Sequence, residues 1–169
     1  MEFFDMCCKM KTHTLPFVLN PDGEWDTFDP HYQPILNNTW QEVKFLNETG
    51  DQLNNAIRTI PNDTGGIYTF IIKPNIISDI HLYIAYIGRV QSTDTQNLRK
   101  RIREYFRDTR PLVMLMRETW GKYLYVRYLP FTDNDYIKGL EEELIRVILP
   151  PCNDQYPGVY NLAKTAAFV

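Results

Sequence analysis

The sequence has few of the residues from which disulfide frameworks and zinc sites are built. Its three cysteines, Cys7, Cys8 and Cys152, are odd in number and lack the paired spacing of zinc ligands. The three histidines are scattered along the chain, and we interpret them as exposed or structural rather than as metal ligands or bases. The composition therefore indicates free thiols in a reducing compartment.

The sequence also lacks a long apolar run. No stretch reaches the length of a membrane-spanning helix. Residues 1–5 are acidic and have neither the basic start nor the apolar centre of a signal peptide. These absences predict a soluble, intracellular (cytoplasmic) protein with no membrane partner.

Positive charge is scarce in the first third and concentrated later. The net charge is −3, and residues 1–63 hold four Lys or Arg against ten Asp or Glu. Residues 64–169 hold fourteen against eleven, and six of those fourteen fall between Arg99 and Arg110. A local field of this kind can steer a polyanion even when the total charge is negative.

The charge difference suggests a division into an N-terminal extension, residues 1–63, and a second unit, residues 64–169. In the extension we predict a short helix over Trp40–Val43. A second helix is predicted to begin near Thr49 and to end at Pro61, with an apolar face of Leu53, Ala56, Ile57 and Ile60. This face would pack on the core; the alternative is contact with DNA or a partner.

Two strands with tyrosines open the second unit. Residues 65–73 and 82–88 are rich in β-branched and aromatic side chains and predict an antiparallel hairpin with a long connection. Tyr68 lies beside Gly66 near the start of the first strand, and Tyr86 lies beside Gly88 at the end of the second. Gly88 would allow backbone or substrate to approach closely.

A basic amphipathic helix is predicted to follow, from a cap at residues 93–95 to about Asp108. Leu98, Ile102 and Tyr105 form its apolar stripe, and Arg101 falls within that stripe. A phosphate would be a suitable partner for this guanidinium; the alternative is an arginine at the edge of the stripe. The remaining cations form a face that could lie along a DNA backbone: Arg99, Lys100, Arg103 and Arg107.

A third strand, residues 121–129, and a last helix, from a cap at 133–135 through Leu149, complete the pattern. Residues 113–119 are ambiguous between helix and loop. Glu141 projects within the apolar arc of the last helix, beside Leu144 and Ile145. A carboxylate in that position requires a ligand, and Mg²⁺ is a natural candidate.

Together these segments resemble the GIY-YIG nuclease family. The resemblance lies in Gly66-Ile67-Tyr68 and Tyr86-Ile87-Gly88, and in the helical segment that contains Arg101 and Tyr105. It continues through Glu141, Leu144-Ile145, Pro150 and Asn153, with a less certain addition at residues 160–163. The long first connection and the first third of the chain depart from the family pattern.

The resemblance implies an α+β fold with a small, mostly antiparallel three-stranded sheet in β-β-α-β-α order, flanked by helices. It implies metal-dependent hydrolysis of DNA phosphodiesters with Mg²⁺ (or Mn²⁺) as cofactor. With no separate DNA-recognition domain in the sequence, the chain is similar to small stand-alone enzymes of the restriction-like, phage or mobile-element type. A restriction-like enzyme would form a homodimer to cut both strands.

The resemblance also implies roles for single residues. It places the site at Tyr68, Tyr86, Arg101, Tyr105, Glu141 and Asn153. Tyr68 would activate the attacking water, Arg101 would balance charge on the phosphate, and Glu141 would hold the metal. The other two tyrosines would orient water, substrate or Arg101, and Asn153 would support the site by hydrogen bonding. Two alternatives stay open, a DNA-binding module without turnover and a scaffold whose acidic extension recruits a partner.

Overall fold

One antiparallel sheet of four strands organises the chain. The computed structural model describes residues 27–78 and 80–157, so the cysteines and the histidine of the first 26 residues, and residues 160–163, lie outside the described part. The strands are β1 (Gln41–Lys44), β2 (Gly65–Ile72), β3 (Tyr83–Val90) and β4 (Leu124–Phe131), in the order β1-β4-β2-β3. The predicted α+β class is confirmed, but the sheet has four strands rather than three.

In the described residues, three α-helices cover the sheet: α1 (Leu98–Glu104), α2 (Pro111–Trp120) and α3 (Asn134–Ile148). The same part of the chain has three 3-10 helices, at Gln33–Asn37, Asn55–Thr59 and Gly121–Tyr123. None of the helices in the described part of the chain is long and apolar enough to cross a membrane.

Every residue of β2 is buried, because a hydrophobic core lies on each face of the sheet. Tyr68, Phe70 and Ile72 point into the core shared with α1 and α2. Ile67 points into the opposite core, which α3 covers with its own apolar arc. A continuous apolar run in the sequence is therefore the pattern of a strand covered on both sides.

The helix ends follow from local side-chain chemistry. The Asn97 side chain accepts a hydrogen bond from the Lys100 N–H and starts α1 four residues later than the first predicted cap residue. The Asp133 side chain accepts from two N–H groups at the start of α3, as predicted. Leu149 adopts a left-handed conformation at the end of α3, one residue before Pro150. The ambiguous residues 113–119 belong to α2.

Both helices predicted in the extension are wrong. Residues 41–44 pair with β4 as strand β1, which buries Val43 and exposes Gln41. The expected start of the second helix is a turn, because the Asn47 side-chain oxygen accepts hydrogen bonds from the N–H groups of residues 50, 51 and 52. Only a 3-10 helix, Asn55–Thr59, follows it, capped by the Asn54 side chain.

Strand β1 is tied to the rest of the sheet by one carboxylate with two cationic partners. Glu42 Oε1 accepts a hydrogen bond from Lys73 Nζ at 2.9 Å, and Glu42 Oε2 accepts one from Arg127 Nε at 2.8 Å. Burial raises the pKa of Glu42, but the hydrogen bonds from these two cations outweigh it and hold the pKa below 4.5. The ionised form therefore stabilises the fold.

We predict that Glu42→Gln lowers the free energy of unfolding by about 1 kcal/mol at neutral pH. Folding lowers the pKa of Glu42. The stabilisation by its ionised form is therefore fully present above the pKa of the unfolded state, and it is lost as the pH falls through the pKa of the folded state. The difference in the free energy of unfolding between wild type and variant, measured by denaturant titration, should therefore become smaller as the pH is lowered. Glu48→Gln is the control, since the Glu48 side chain is 86% exposed. A difference independent of pH would contradict the prediction.

Candidate active site

The register of the central hairpin sets the position of the first tyrosine. Tyr68 of β2 pairs with Gly88 of β3, and a Cβ atom at position 88 would lie 2.7 Å from the Tyr68 hydroxyl. Glycine is needed here because the phenol occupies the space a side chain would take. The Tyr68 hydroxyl instead meets the Tyr105 hydroxyl of the α1 C-terminus, at 2.9 Å.

Tyr68, Tyr86 and Tyr105 form one aromatic cluster on the α1 side of the sheet. The Tyr105 ring lies 5.8 Å from the Tyr68 ring and 5.4 Å from the Tyr86 ring, measured between centroids. Burial raises the pKa of all three phenols. Tyr68, for example, is only 1% exposed. The three phenols are therefore protonated at neutral pH.

Arg101 borders this cluster from the side of solvent. Its guanidinium carbon lies 5.3 Å from the centre of the Tyr105 ring, and a third of its side chain is exposed. One nitrogen donates to Glu104 Oε2 at 3.1 Å, while Gln96 Nε2 donates to Glu104 Oε1 at 3.1 Å. Burial works against the charge of Arg101, but its neighbours outweigh that effect and raise its pKa, so it is a permanent cation.

Glu141 reaches the same region from the opposite face of the sheet. Its Oε2 accepts a hydrogen bond from Arg89 Nε at 2.7 Å, and its side chain is 19% exposed. Burial raises the pKa of Glu141 despite the opposing charge of Arg89. The carboxylate of the apolar arc is thus held by an ion pair at the end of β3.

Arg89, Arg101 and Glu141 line a single open cavity of about 410 Å³ beside the end of β3. The remaining lining residues are Val90, Gln91, Thr93 and Gln96. The cavity wall thus holds two guanidiniums and one carboxylate, and guanidinium donors suit an anion such as phosphate. The tyrosines lie behind this wall and do not line the cavity.

The cavity holds few of the donors that a divalent cation takes from protein. Within the described residues, no group of three or more His, Cys, Asp or Glu side chains could hold a metal ion. A single carboxylate in a hydrated cavity still fits Mg²⁺, which takes one or two carboxylates and completes its shell with waters and phosphate oxygens. Glu141 is the carboxylate that would bind the metal, once Arg89 leaves it for another partner.

Asn153 lies behind β3 rather than in the cavity. Its Oδ1 accepts from the Ile87 N–H at 2.9 Å, and its Nδ2 donates to the Ile87 carbonyl at 2.8 Å. The neighbouring Cys152 N–H donates to the Ala85 carbonyl at 2.9 Å. This segment therefore closes the outer edge of β3 and fixes the strand that carries Tyr86, Gly88 and Arg89.

The four basic residues predicted to contact DNA are not in the cavity. They line a different groove, on the far side of α1: Arg99, Lys100, Arg103 and Arg107. Arg99 Nε donates to the Ile60 carbonyl at 2.6 Å, so this side chain also links α1 to the extension.

Sequence reasoning missed the partners that fix the site. Arg89 directly follows Tyr86-Ile87-Gly88, and the alternation of side chains along β3 places it on the α3 face. A cation at this position was a signal in the sequence for a charged partner of the site. Arg110 lies 5.4 Å from the Tyr105 ring centre and is held by Asp108. Glu104 pairs with Arg101 at an i, i+3 spacing, which the predicted helix already offered.

Comparisons of the chain with protein-family models, with curated proteins and with solved structures gave no match.

We predict that Asn153→Ala destabilises the protein by about 2 to 4 kcal/mol, because it leaves a buried N–H and a buried carbonyl of Ile87 without partners. Thermal or denaturant unfolding measures the change. Gln155→Ala, at an exposed position nearby, should change stability by less than about 0.5 kcal/mol. Equal stability of the Asn153 variant and the wild type would contradict the bracing role.

Proposed function

We propose that this protein is a metal-dependent endonuclease that hydrolyses phosphodiester bonds in DNA. The observation that carries the proposal is the cavity in which Glu141 lies beside the guanidiniums of Arg89 and Arg101. The resemblance to GIY-YIG nucleases in the sequence supports the same reaction.

A phosphodiester fits the charge of this cavity. Arg101 is a permanent cation next to the aromatic cluster, and its guanidinium can stabilise the extra negative charge that develops on the phosphorus-bound oxygens. In the free protein its partner is Glu104, whose carboxylate also accepts from Gln96. Binding of a phosphate would therefore replace a solvent-screened pair with a closer one.

Glu141 is the residue that would hold Mg²⁺ or Mn²⁺. The metal, when bound, would polarise the phosphate and stabilise the leaving oxygen. Arg89 now occupies Glu141 Oε2, so this guanidinium must turn away before the carboxylate can serve as a ligand. The phosphate provides the replacement partner for Arg89 in the same cavity.

Tyr68 and Tyr105 supply hydroxyl groups next to Arg101. Their hydroxyls are joined by a hydrogen bond, and Arg101 is the cation that favours ionisation of Tyr68. Because Tyr68 is buried behind the cavity wall and burial raises the pKa of its phenol, the neutral phenol holds Tyr105 in place, and activation of the attacking water by Tyr68 would require the wall to open. Tyr86 orients Tyr105 by ring contact.

A DNA-binding module without turnover is the second candidate. It is favoured by the ion pair that engages Glu141 and by the single carboxylate in the cavity. The two candidates differ in whether Glu141 is required for strand scission.

We predict that Glu141→Gln lowers cleavage of supercoiled plasmid in Mg²⁺ by at least about a hundredfold, because an amide cannot replace the anionic ligand. EDTA should lower wild-type cleavage as strongly. DNA affinity and the circular dichroism spectrum should stay within error of the wild type.

Glu142→Gln is the matched control, since it changes the adjacent, exposed glutamate of the same helix. It should cleave at the wild-type rate. Full activity of Glu141→Gln would contradict the metal role, and absence of cleavage by the wild type would favour the second candidate.

A further inference from the structure

A second recess, here called the α1 groove, lies on the side of α1 opposite the candidate active site. It has a volume of about 610 Å³, is open to solvent, and lies between α1 and the extension residues Gln52, Leu53 and Asn62. A neighbouring recess of about 380 Å³ shares Leu53, Arg99 and Arg103 with it and extends it along the extension. The proposed reaction makes no use of this space.

The α1 groove is strongly cationic. Four cations line the larger recess, and Arg58 adds a fifth in the neighbouring one. Within the described residues, Arg58, Arg103 and Arg107 form no ion pair. One carboxylate, Glu104, lines the groove, and it is already engaged by Gln96 and Arg101.

Two acidic residues of the extension adjoin lining residues in the sequence, Asp51 beside Gln52 and Asp63 beside Asn62, but neither lines the groove. The carboxylate of Asp51 is turned into its own loop. It accepts hydrogen bonds from the Asn47 side-chain amide and the Thr49 hydroxyl. Among the described residues that line the groove and the neighbouring recess, the charged side chains are therefore those of α1, Arg107 and Arg58, and only Glu104 is acidic.

The groove also offers groups that a phosphate alone does not need. Leu53 and Phe106 are half-buried and give it an apolar wall. The side-chain amides of Gln52 and Asn62 line it at exposed positions, and neither makes a hydrogen bond to another described residue. A duplex backbone calls only for cations on an open surface, whereas an unpaired nucleotide also presents a flat ring and a polar base edge.

We propose that the α1 groove binds an unpaired segment of nucleic-acid strand. Bases would contact Phe106 and Leu53, amides of the extension would meet base edges, and phosphates would lie against Lys100, Arg103 and Arg107. The choice of a nucleic-acid ligand rests on the proposed function. The proposal adds that the preferred substrate carries a single-stranded segment next to the bond to be cut.

The two recesses are neighbours across α1, which explains how one strand serves both. Gln96 and Arg101 line the candidate active site, and their common partner Glu104 lines the α1 groove. Helix α1 has seven residues and is therefore about 10 Å long. A strand that leaves the cavity can pass around this short helix into the groove.

The test uses the full chain with Glu141→Gln, so that binding is measured without cleavage. Fluorescence anisotropy compares labelled oligodeoxythymidine, oligouridine, an abasic strand of equal charge, a blunt duplex, and the same duplex with a thymidine overhang. Two groove variants, Arg103→Gln and Asn62→Asp, are added separately. Lys138→Gln is the control, a charge removal at an exposed site on α3 that lines neither recess.

We expect each groove variant to weaken binding of oligodeoxythymidine and of the overhang duplex by about tenfold, and to change blunt-duplex affinity less than twofold. Arg103→Gln should reduce the slope of log affinity against log salt by about 0.7 for the single strand. The abasic strand should bind more weakly than oligodeoxythymidine. Tighter binding of oligodeoxythymidine than of oligouridine identifies DNA as the strand, and the reverse identifies RNA.

Three outcomes would overturn the proposal: equal losses for blunt and overhang duplexes, equal affinity for abasic and normal strands, or the same loss from Lys138→Gln. Photo-crosslinking of a 5-bromouracil overhang is the independent check. It should label peptides within residues 52–62 or 97–107, and labelling confined to other peptides overturns the proposal as well. If the wild type binds overhangs as expected but cuts no DNA, the proposed function fails and the groove assignment stands.

Discussion

The pairing of Tyr68 with Gly88 is the constraint on which the rest of the site depends. It leaves room for one phenol above the edge strand, and that phenol sets the position of Tyr105 and, through it, of Arg101. A shift of one residue in this register would turn Tyr68 toward α3 and away from α1. The position of β3 is in turn fixed from outside by the amide of Asn153.

An edge strand lets two faces of a sheet contribute to one cavity. Helix α1 lies on one face and α3 on the other, so their charged side chains can meet only where the sheet ends. Arg89, at the end of β3, is the residue between them. The ion pair with Glu141 therefore offsets the cost of placing a carboxylate in an apolar arc until other partners arrive.

The long strands and the caps of α3 were predictable, because continuous apolar runs and an Asp at a helix start act locally. Strand β1 was not, since four residues become a strand only when β4 is there to pair with them. The second predicted helix failed because the Asn47 side chain competes for the same N–H groups. At the site, Arg101 and Glu141 were recognisable as charges among apolar neighbours. The partner Glu104 follows Arg101 at the i, i+3 spacing of one helix, whereas the pairing of Arg89 with Glu141 depends on tertiary geometry.

The closure of β3 by a side chain has a consequence for how copies of this protein meet. A bare sheet edge invites strand addition and aggregation. On one side the Asn153 amide acts as a one-residue mimic of a neighbouring strand and denies that edge to a second chain. On the other side β1 is four residues long and carries Glu42 and Lys44. Both features disfavour addition of a further strand at the two edges of the sheet as the structure describes it.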